Sequence, residues 1–179
     1  ISIDKKSKKY EIISIGHRNP QGLLYIKDLN LIINTEHGPK GGDEININYL
    51  KTNFIPNYGW DIASYGTDYS GEDPYKKSHV EYGFVEPFKN YTPSIGISEI
   101  SYVSNYTKGA DSRLFFVSSL RAGSIYSIQT NANVTKIINE DRIFFPQQRI
   151  RDIKYDEKNN IFFLLFDPIP SLGILEFKK

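Results

Sequence analysis

Four arginines lie at the ends of predicted strands, where their side chains could bind an anion together. Arg18 precedes one strand, Arg121 follows another, and Arg149 and Arg151 introduce a third. Guanidinium groups that share one space repel each other unless an anion lies between them, and their planar donors match carboxylates. Together they predict a site for a small, multiply anionic ligand. Taken singly, each is more typical of a solvated surface arginine, and only their convergence favours a binding site.

A second chemical feature is the segment Gly38–Glu44, which combines glycines with two acidic residues. Glycines allow backbone carbonyl oxygens to turn inward, and Asp43 and Glu44 supply the anionic oxygens that calcium prefers. The spacing is not that of an EF-hand, and a glycine-rich acidic turn is also typical of an ordinary hairpin. The residues alone leave both interpretations open, a calcium loop or a plain turn.

Several other kinds of site find no support. His17, His37 and His79 do not form a metal-ligand pattern, and no nucleophile elbow, phosphate-binding loop or dinucleotide fingerprint is present. The chain has no cysteine, which excludes disulfides, thiolate–metal sites and thiol nucleophiles and leaves the redox compartment undecided.

Charge and hydropathy exclude two classes of partner. The 22 basic and 21 acidic residues nearly cancel, so net charge does not favour a nucleic-acid-binding face. No run of about 18 apolar residues exists, so we expect no membrane span. The chain begins at Ile1 and contains no methionine, and we interpret Ile1 as a cut site or the start of a shortened piece.

The elements that must position these residues are predicted to be strands. Apolar residues occur in short clumps bounded by Gly, Pro, Asn, Asp or Ser, which is the pattern of strands and turns. Residues 52–91, rich in Gly, Pro, Tyr and Asp, predict a long ordered insertion packed by its own side chains. The predicted strands are Tyr10–Ile15, Gly22–Ile26, Leu31–Thr35, Glu44–Tyr49, Ser98–Val103, Leu114–Ser118, Ser124–Gln129, Val134–Ile138, Arg151–Tyr155, Ile161–Phe166 and Ile174–Phe177.

A weak internal repeat organises these strands. Units beginning at Leu31, Leu114 and Ile161 each contain a buried strand, a connection and a second strand. The last two are about 47 residues apart, the usual length of a four-stranded propeller blade. Because propellers close with four to eight blades, we predict an all-β fold. Residues 1–179 would form one partial β-propeller domain of about three blades, with the N-terminal blades absent.

Eight short motifs give the chain a family resemblance. They are Gly16–Leu23, Thr35–Pro39, Gly42–Asn46, Asn57–Trp60, Glu86–Pro87, Pro93–Ile95, Ser119–Gly123 and Arg149–Asp152. In this order they resemble the C-terminal half of soluble sugar dehydrogenases that use pyrroloquinoline quinone (PQQ). The segment from Glu36 to Pro39 is more similar to the aldose sugar dehydrogenase branch than to the glucose dehydrogenase branch.

The resemblance implies a six-bladed propeller that binds PQQ and calcium. The cofactor-binding residues would be Arg18, Asn19, Ser94, Arg121, Arg149 and Arg151, with Arg18 also supporting catalysis. The carbonyl oxygens of Gly38 and Pro39 would hold the calcium that polarises the quinone. Glu44, Tyr58 and Asp68 would form a second, structural calcium site. Trp60 would shape the fold, and the glucose dehydrogenases have lysine where this chain has Arg121.

The resemblance also implies an activity for the intact parent protein. It would oxidise the C1 hydroxyl of a sugar to a lactone, pass electrons to an acceptor and reside in the periplasm or outside the cell. The family's general base is a histidine of an N-terminal blade, which none of the three histidines here matches, so we expect this chain alone to be inactive. The alternatives are a non-catalytic binding module on the same propeller and a scaffold propeller without a ligand. Oligomeric state is not predicted.

Overall fold

The structure is a computed structural model that describes residues 1–50, 52–107 and 111–176. Strands dominate these ranges, and two short 3-10 helices occupy Val80–Tyr82 and Ser104–Thr107. No helix in the described ranges is long and apolar enough to cross a membrane. The strands are β1 (Ser2–Ile3), β2 (Tyr10–Glu11), β3 (Pro20–Ile26), β4 (Leu31–Glu36), β5 (Asp43–Tyr49), β6 (Lys89–Tyr91), β7 (Ile97–Tyr102), β8 (Ser112–Ser119), β9 (Ile125–Asn131), β10 (Ile137–Phe144), β11 (Arg149–Asp156), β12 (Ile161–Asp167) and β13 (Ser171–Glu176).

The chain divides into two compact units. The first contains residues 1–20 and 25–94, and the second contains residues 21–24 together with Ile95 onward. The prediction of an all-β chain with antiparallel sheets is confirmed. The number of propeller blades in the parent stays a prediction.

The first unit is built around β4 and β5. These strands pair antiparallel without a shift from Leu31 opposite Tyr49 to Glu36 opposite Glu44, and β5 also pairs antiparallel with β6. Leu31, Ile33 and Ile45 are almost completely buried. Polar side chains on the same two strands are buried as well, and several of them form hydrogen bonds with one another. Asn34 Nδ2, Asn46 Oδ1 and Asn48 Oδ1 have no hydrogen-bond partner within the described residues. The buried polar residues of these strands are Asn34, Thr35, Glu36, Asp43, Glu44, Asn46 and Asn48.

Residues 52–88 connect β5 to β6 without a strand of their own. Isolated β-bridges hold them in place by pairing Ile15 with Asn57, Lys40 with Thr67 and Ala63 with Lys76. The buried residues Tyr58 and Ala63 anchor this connection internally. The predicted insertion at 52–91 therefore also includes the short strand β6.

The second unit contains two antiparallel sheets. One has the order β10-β9-β8-β7, and the other has the order β11-β12-β13. Their shared core is apolar, and the rings of Phe116 and Phe162 stack with centroids 4.9 Å apart. The buried core residues are Val103, Phe116, Ile125, Ile150, Ile153, Phe162 and Leu164.

Three of the predicted strands differ from the structure by three residues or more at one end or both. The strand predicted at Ile174–Phe177 begins at Ser171, and Phe177 lies outside the described residues. The strand predicted at Tyr10–Ile15 ends at Glu11, because Ile15 turns to bridge Asn57 and Gly16 takes a positive φ of 74°. The strand predicted to begin at Val134 begins at Ile137 and runs to Phe144. Val134 lies instead in the preceding turn with a φ of 54°, and its apolar character reflects its burial there.

Candidate functional site

A buried carboxylate at the end of β4 holds the loop that carries Arg18. One oxygen of Glu36, Oε2, accepts a hydrogen bond from the Arg18 backbone N–H at 3.1 Å and lies 3.3 Å from His17 Nδ1. The other, Oε1, accepts one from Asn46 Nδ2 at 2.9 Å. Glu36 is only 3% exposed. The next residue, His37, donates its backbone N–H to the Asn19 carbonyl at 3.0 Å, so the loop is bound to the strand end at several points.

The Arg18 side chain lies across this strand end with donor capacity to spare. Its Nη1 donates to the His37 carbonyl at 3.2 Å, and its Cζ lies 5.1 Å from the ring centroid of Trp60. Its Nε is buried and has no hydrogen-bond partner within the described residues. A buried guanidinium donor without a partner is costly, and it fits a site that receives an oxygen from a ligand.

The glycine loop that follows His37 is sterically closed. A Cβ at Gly38 would lie 2.2 Å from the Gly42 carbonyl oxygen. Lys40 and Thr67 exchange backbone hydrogen bonds of 2.9 and 3.0 Å, which fix the far side of the loop. Gly38 and Pro39 are buried.

The carbonyl oxygens of this loop fit the role that the resemblance gives them. Across the described ranges, no hydrogen bond reaches the carbonyl oxygen of Gly38 or Pro39. Buried carbonyls are nearly always paired, and calcium takes backbone carbonyl oxygens as ligands. The donor set therefore suits a calcium ion.

Arg18 and Gly38 line one small cavity of the first unit. Its volume is about 10 Å³, which is room for roughly one water molecule. The other residues that line it are Gly16, Glu36, His37, Glu44, Tyr58, Trp60, Ala63 and Ser64. The spare guanidinium donor and the glycine loop thus belong to the same part of the first unit.

A second acidic residue of this unit, Glu44, is also buried. Asn46 Nδ2 also donates to Glu44 Oε2 at 3.2 Å, so that one amide bridges two carboxylates. Burial and the nearby charge of Glu36 raise the pKa of Glu44 to about 8. The environment of Glu44 therefore favours its protonated form.

His79 is the residue of this cluster for which the sequence predicted no role. Its Nε2 lies 3.6 Å from Glu44 Oε1 and its Nδ1 lies 3.9 Å from Glu86 Oε1. The ring is fully buried, and both nitrogens lack a hydrogen-bond partner among the described residues. Burial lowers the pKa of His79. The alternation of polar residues at 44, 46 and 48 on β5 was a usable signal for the buried cluster, whereas nothing near His79 in sequence indicates its burial.

The predicted second calcium site stays a prediction. Glu44 is buried, Tyr58 donates its hydroxyl to the Ile47 carbonyl at 2.7 Å, and Asp68 accepts the Ser70 N–H at 2.8 Å in a turn. Hydrogen bonds from Ser70 lower the pKa of Asp68. In the part of the chain that the structure describes, no three His, Asp or Glu side chains are grouped to hold a metal ion.

The remaining predicted cofactor residues are engaged within their own units. In the first unit, Ser94 donates its hydroxyl to Asp43 Oδ2 at 2.6 Å. In the second, Gly96 packs so closely on Arg121 that a Cβ there would lie 2.7 Å from the Arg121 backbone nitrogen.

Arg149 and Arg151 are brought together by a residue that sequence reasoning missed. Arg149 Nε and Arg151 Nη2 donate to the same oxygen, Asp167 Oδ2, at 3.1 and 2.9 Å. These hydrogen bonds lower the pKa of Asp167. The pairing shows that these two arginines can share one carboxylate. The convergence of all four arginines stays a prediction.

Comparison with known proteins identifies the family. The model of the Glucose / Sorbosone dehydrogenase family matches residues 2–168. The chain belongs to this family. It is 31% identical over 154 residues to the aldose sugar dehydrogenase YliI of Escherichia coli (strain K12). The aligned region covers 85% of this chain and 40% of that protein.

Solved structures of this family agree with the fold. The apo form of the soluble aldose sugar dehydrogenase from Escherichia coli matches with a TM-score of 0.75 and 30% identity, over 95% of this chain and 48% of that one. The PQQ-bound aldose sugar dehydrogenase from Streptomyces coelicolor matches with a TM-score of 0.58 and 20% identity, over 84% of this chain and 37% of that one. At that identity the match shows the fold alone. The chain thus spans less than half the length of these relatives.

Proposed function

We propose that this glucose/sorbosone dehydrogenase chain contributes the cofactor-holding part of a PQQ- and calcium-dependent aldose dehydrogenase. The proposal depends on one observation: a hydrogen-bond donor without an acceptor and carbonyl acceptors without a donor lie in the same unit of the chain. Arg18 has a buried Nε–H without a hydrogen-bond partner in the described ranges. Its Nη1 binds the His37 carbonyl, and the glycine loop begins at the next residue. In the same ranges, two carbonyl oxygens of that loop, those of Gly38 and Pro39, receive no hydrogen bond. A ligand that combines anionic oxygens with a bound cation satisfies both.

The residues divide the proposed work by their chemistry. Gly38 and Pro39 would hold calcium through their carbonyl oxygens, and Arg18 with Asn19 would contact the oxygens and ring of the quinone. Ser94, Arg121, Arg149 and Arg151 would bind its carboxylates, as Arg149 and Arg151 already bind that of Asp167. When bound, the quinone supplies the oxidant for a hydride from sugar C1 and calcium supplies Lewis-acid polarisation. The product would be a lactone.

Arg18 is well placed to support catalysis but not to remove a proton, because a guanidinium stays charged at working pH. His17 and His79 are also poor bases for a sugar hydroxyl, and the third histidine, His37, does not match the general base that the family resemblance implies. His79 is completely buried, and His17 Nε2 and Nδ1 already lie 2.8 Å from Ser14 Oγ and 3.3 Å from Glu36. We therefore place the general base in a part of the parent protein outside this sequence. The same proposal includes a sugar substrate, an electron acceptor and a periplasmic or secreted location. It includes neither a nucleic-acid partner nor a membrane span.

Calcium-dependent quinone binding is the direct test. We expect PQQ to shift its absorption and to stabilise the chain thermally when calcium is present, and Arg18→Ala to weaken that binding by roughly 10- to 100-fold, since charge-assisted contacts are lost. Arg113→Ala is the matched control, because Arg113 Nε donates to the Ala132 carbonyl in the second unit. Absence of any calcium-dependent spectral or thermal change would favour the non-catalytic binding module.

Turnover is a separate prediction. With PQQ, calcium, a sugar and an artificial electron acceptor, this chain alone is expected to show no sugar oxidation above background, because it lacks the proposed general base. Dye reduction measured over a panel of aldoses checks this. Robust, sugar-dependent reduction would show that the chain holds its own base.

A further inference from the structure

Trp60 contacts Arg18 through its ring and the Arg18 loop through its backbone. The guanidinium carbon lies 5.1 Å from the indole centroid, and the Trp60 backbone N–H donates to the carbonyl of Gly16 at 3.0 Å. The ring of Tyr75 packs on the same indole at 5.4 Å. Trp60 is thus joined to the Arg18 loop at two points and supported by a second aromatic ring.

The orientation of the guanidinium matters because its donors are unequally used. Nη1 is bound to the His37 carbonyl at 3.2 Å, whereas Nε is buried and has no partner within the described residues. Arginine is a long side chain with many rotamers, and ordering it on ligand binding reduces affinity. A fixed aromatic surface removes that loss, and an indole face also attracts the cation.

The turn that carries Trp60 is itself rigid. Gly59 has a φ of 88°, and a Cβ there would lie 2.9 Å from the Phe84 ring and 3.0 Å from Ala63. Its backbone N–H donates to Asn57 Oδ1 at 2.9 Å. On the other side, the ring of Tyr58 stacks on His17 at 4.8 Å. The turn can therefore hold the indole in one place.

We propose that Trp60 is a positioning residue that orients the Arg18 guanidinium so that its Nε–H points to a ligand oxygen. The ligand's identity rests on the proposed function, but the orienting of Arg18 does not. Trp60 acts through Arg18 and need not touch the cofactor or the sugar.

A ligand-free measurement tests the contact itself. In ¹⁵N-labelled protein, the Arg18 Nε–Hε cross-peak, assigned by its loss in Arg18→Lys, is expected to be displaced by the indole ring current and protected from solvent exchange. Trp60→Leu is expected to move it to the position of a solvent-exposed arginine, and Trp60→Phe is expected to retain most of the displacement and protection. A peak that stays unchanged in a folded Trp60→Leu protein would overturn the proposal, and so would a wild-type peak already at the exposed position.

Quinone binding gives the second readout. By equilibrium dialysis with calcium, Trp60→Leu is expected to bind PQQ roughly tenfold more weakly, and Trp60→Phe within about threefold of wild type. Tyr82→Leu is the control, because it removes a similar contact of 5.3 Å between Lys76 Nζ and an aromatic ring in the same unit. Wild-type affinity in Trp60→Leu would contradict the proposal. If the wild-type protein binds no quinone, the proposed function fails while the cross-peak still decides the role of Trp60.

Discussion

Gly38→Ala is expected to abolish calcium-dependent quinone binding and to lower the free energy of unfolding by about 1–3 kcal/mol. The added Cβ would lie 2.2 Å from the Gly42 carbonyl oxygen and 2.4 Å from that of Gly41. Both are backbone atoms, which cannot rotate away as a side chain can. The loop must therefore open, and this displaces the Gly38 and Pro39 carbonyl oxygens that we propose as calcium ligands. Urea unfolding with and without calcium and PQQ measures both effects.

The control for this substitution is Gly83→Ala, which separates steric clash from backbone conformation. Gly83 has a φ of 79°, but a Cβ added to it would meet no atom of the described residues within 4 Å beyond its chain neighbours. Its replacement is expected to cost about 1 kcal/mol through the positive φ alone and to leave quinone binding unchanged. Equal calcium-dependent binding by Gly38→Ala and wild type would show that the carbonyl oxygens of this loop are not the ligands.

The stability of the chain in calcium-free buffer is expected to fall as pH rises from about 5 to 9, by an amount on the order of 4 kcal/mol. The pKa of Glu44 is about 8 in the folded chain because of burial and the charge of Glu36, against 4.5 for an unperturbed glutamate. Between these values the folded state keeps a proton that the unfolded state has released. The stabilisation is therefore complete below pH 4.5 and is lost as pH passes through 8.

His79 makes stability depend on pH in the opposite direction, so the contribution of Glu44 must be measured with a variant of Glu44 itself. Burial lowers its pKa below 6.5, so the unfolded state takes up a proton first and stability is lost as pH falls. His79 is present in both wild type and Glu44→Gln, so its contribution cancels when the unfolding free energies of the two proteins are subtracted. We expect the variant to have a flatter profile above about pH 6, measured by urea unfolding with a chelator present.

The control is Glu81→Gln, at an exposed residue of the 3-10 helix Val80–Tyr82, which is expected to keep the wild-type profile. A Glu44→Gln profile that falls as steeply as the wild-type profile would assign the pH dependence to another group. Calcium bound at Glu44 would favour the ionised carboxylate and so reduce the fall in stability.

Two candidate features could be predicted because they depend on residue type and order along the chain. The segment Gly38–Glu44 was consistent with a calcium loop or a plain turn, and Arg18 was predicted to donate to an anion; the structure places both in the first unit beside one cavity. The strands Leu31–Thr35 and Glu44–Tyr49 were likewise predicted one after the other, and the structure pairs them as neighbours. Such pairings are local, and their periodicity is visible in sequence.

Other features depend on contacts between distant parts of the chain. His79 became a neighbour of Glu44 because the connection of residues 52–88 folds back on the sheet, and Asp167 became the partner of Arg149 because β12 pairs with β11. Val134 was misread as a strand residue because an apolar side chain is equally suited to a buried turn.

The amino-acid order by itself predicted the strand-rich class and the family, and it named candidate residues for binding an anion and a cation. Tertiary structure alone decided which carboxylates are buried side by side and which aromatic ring lies against Arg18. Burial and distance set pKa values and cation–π contacts, and neither is defined until segments far apart in sequence pack together.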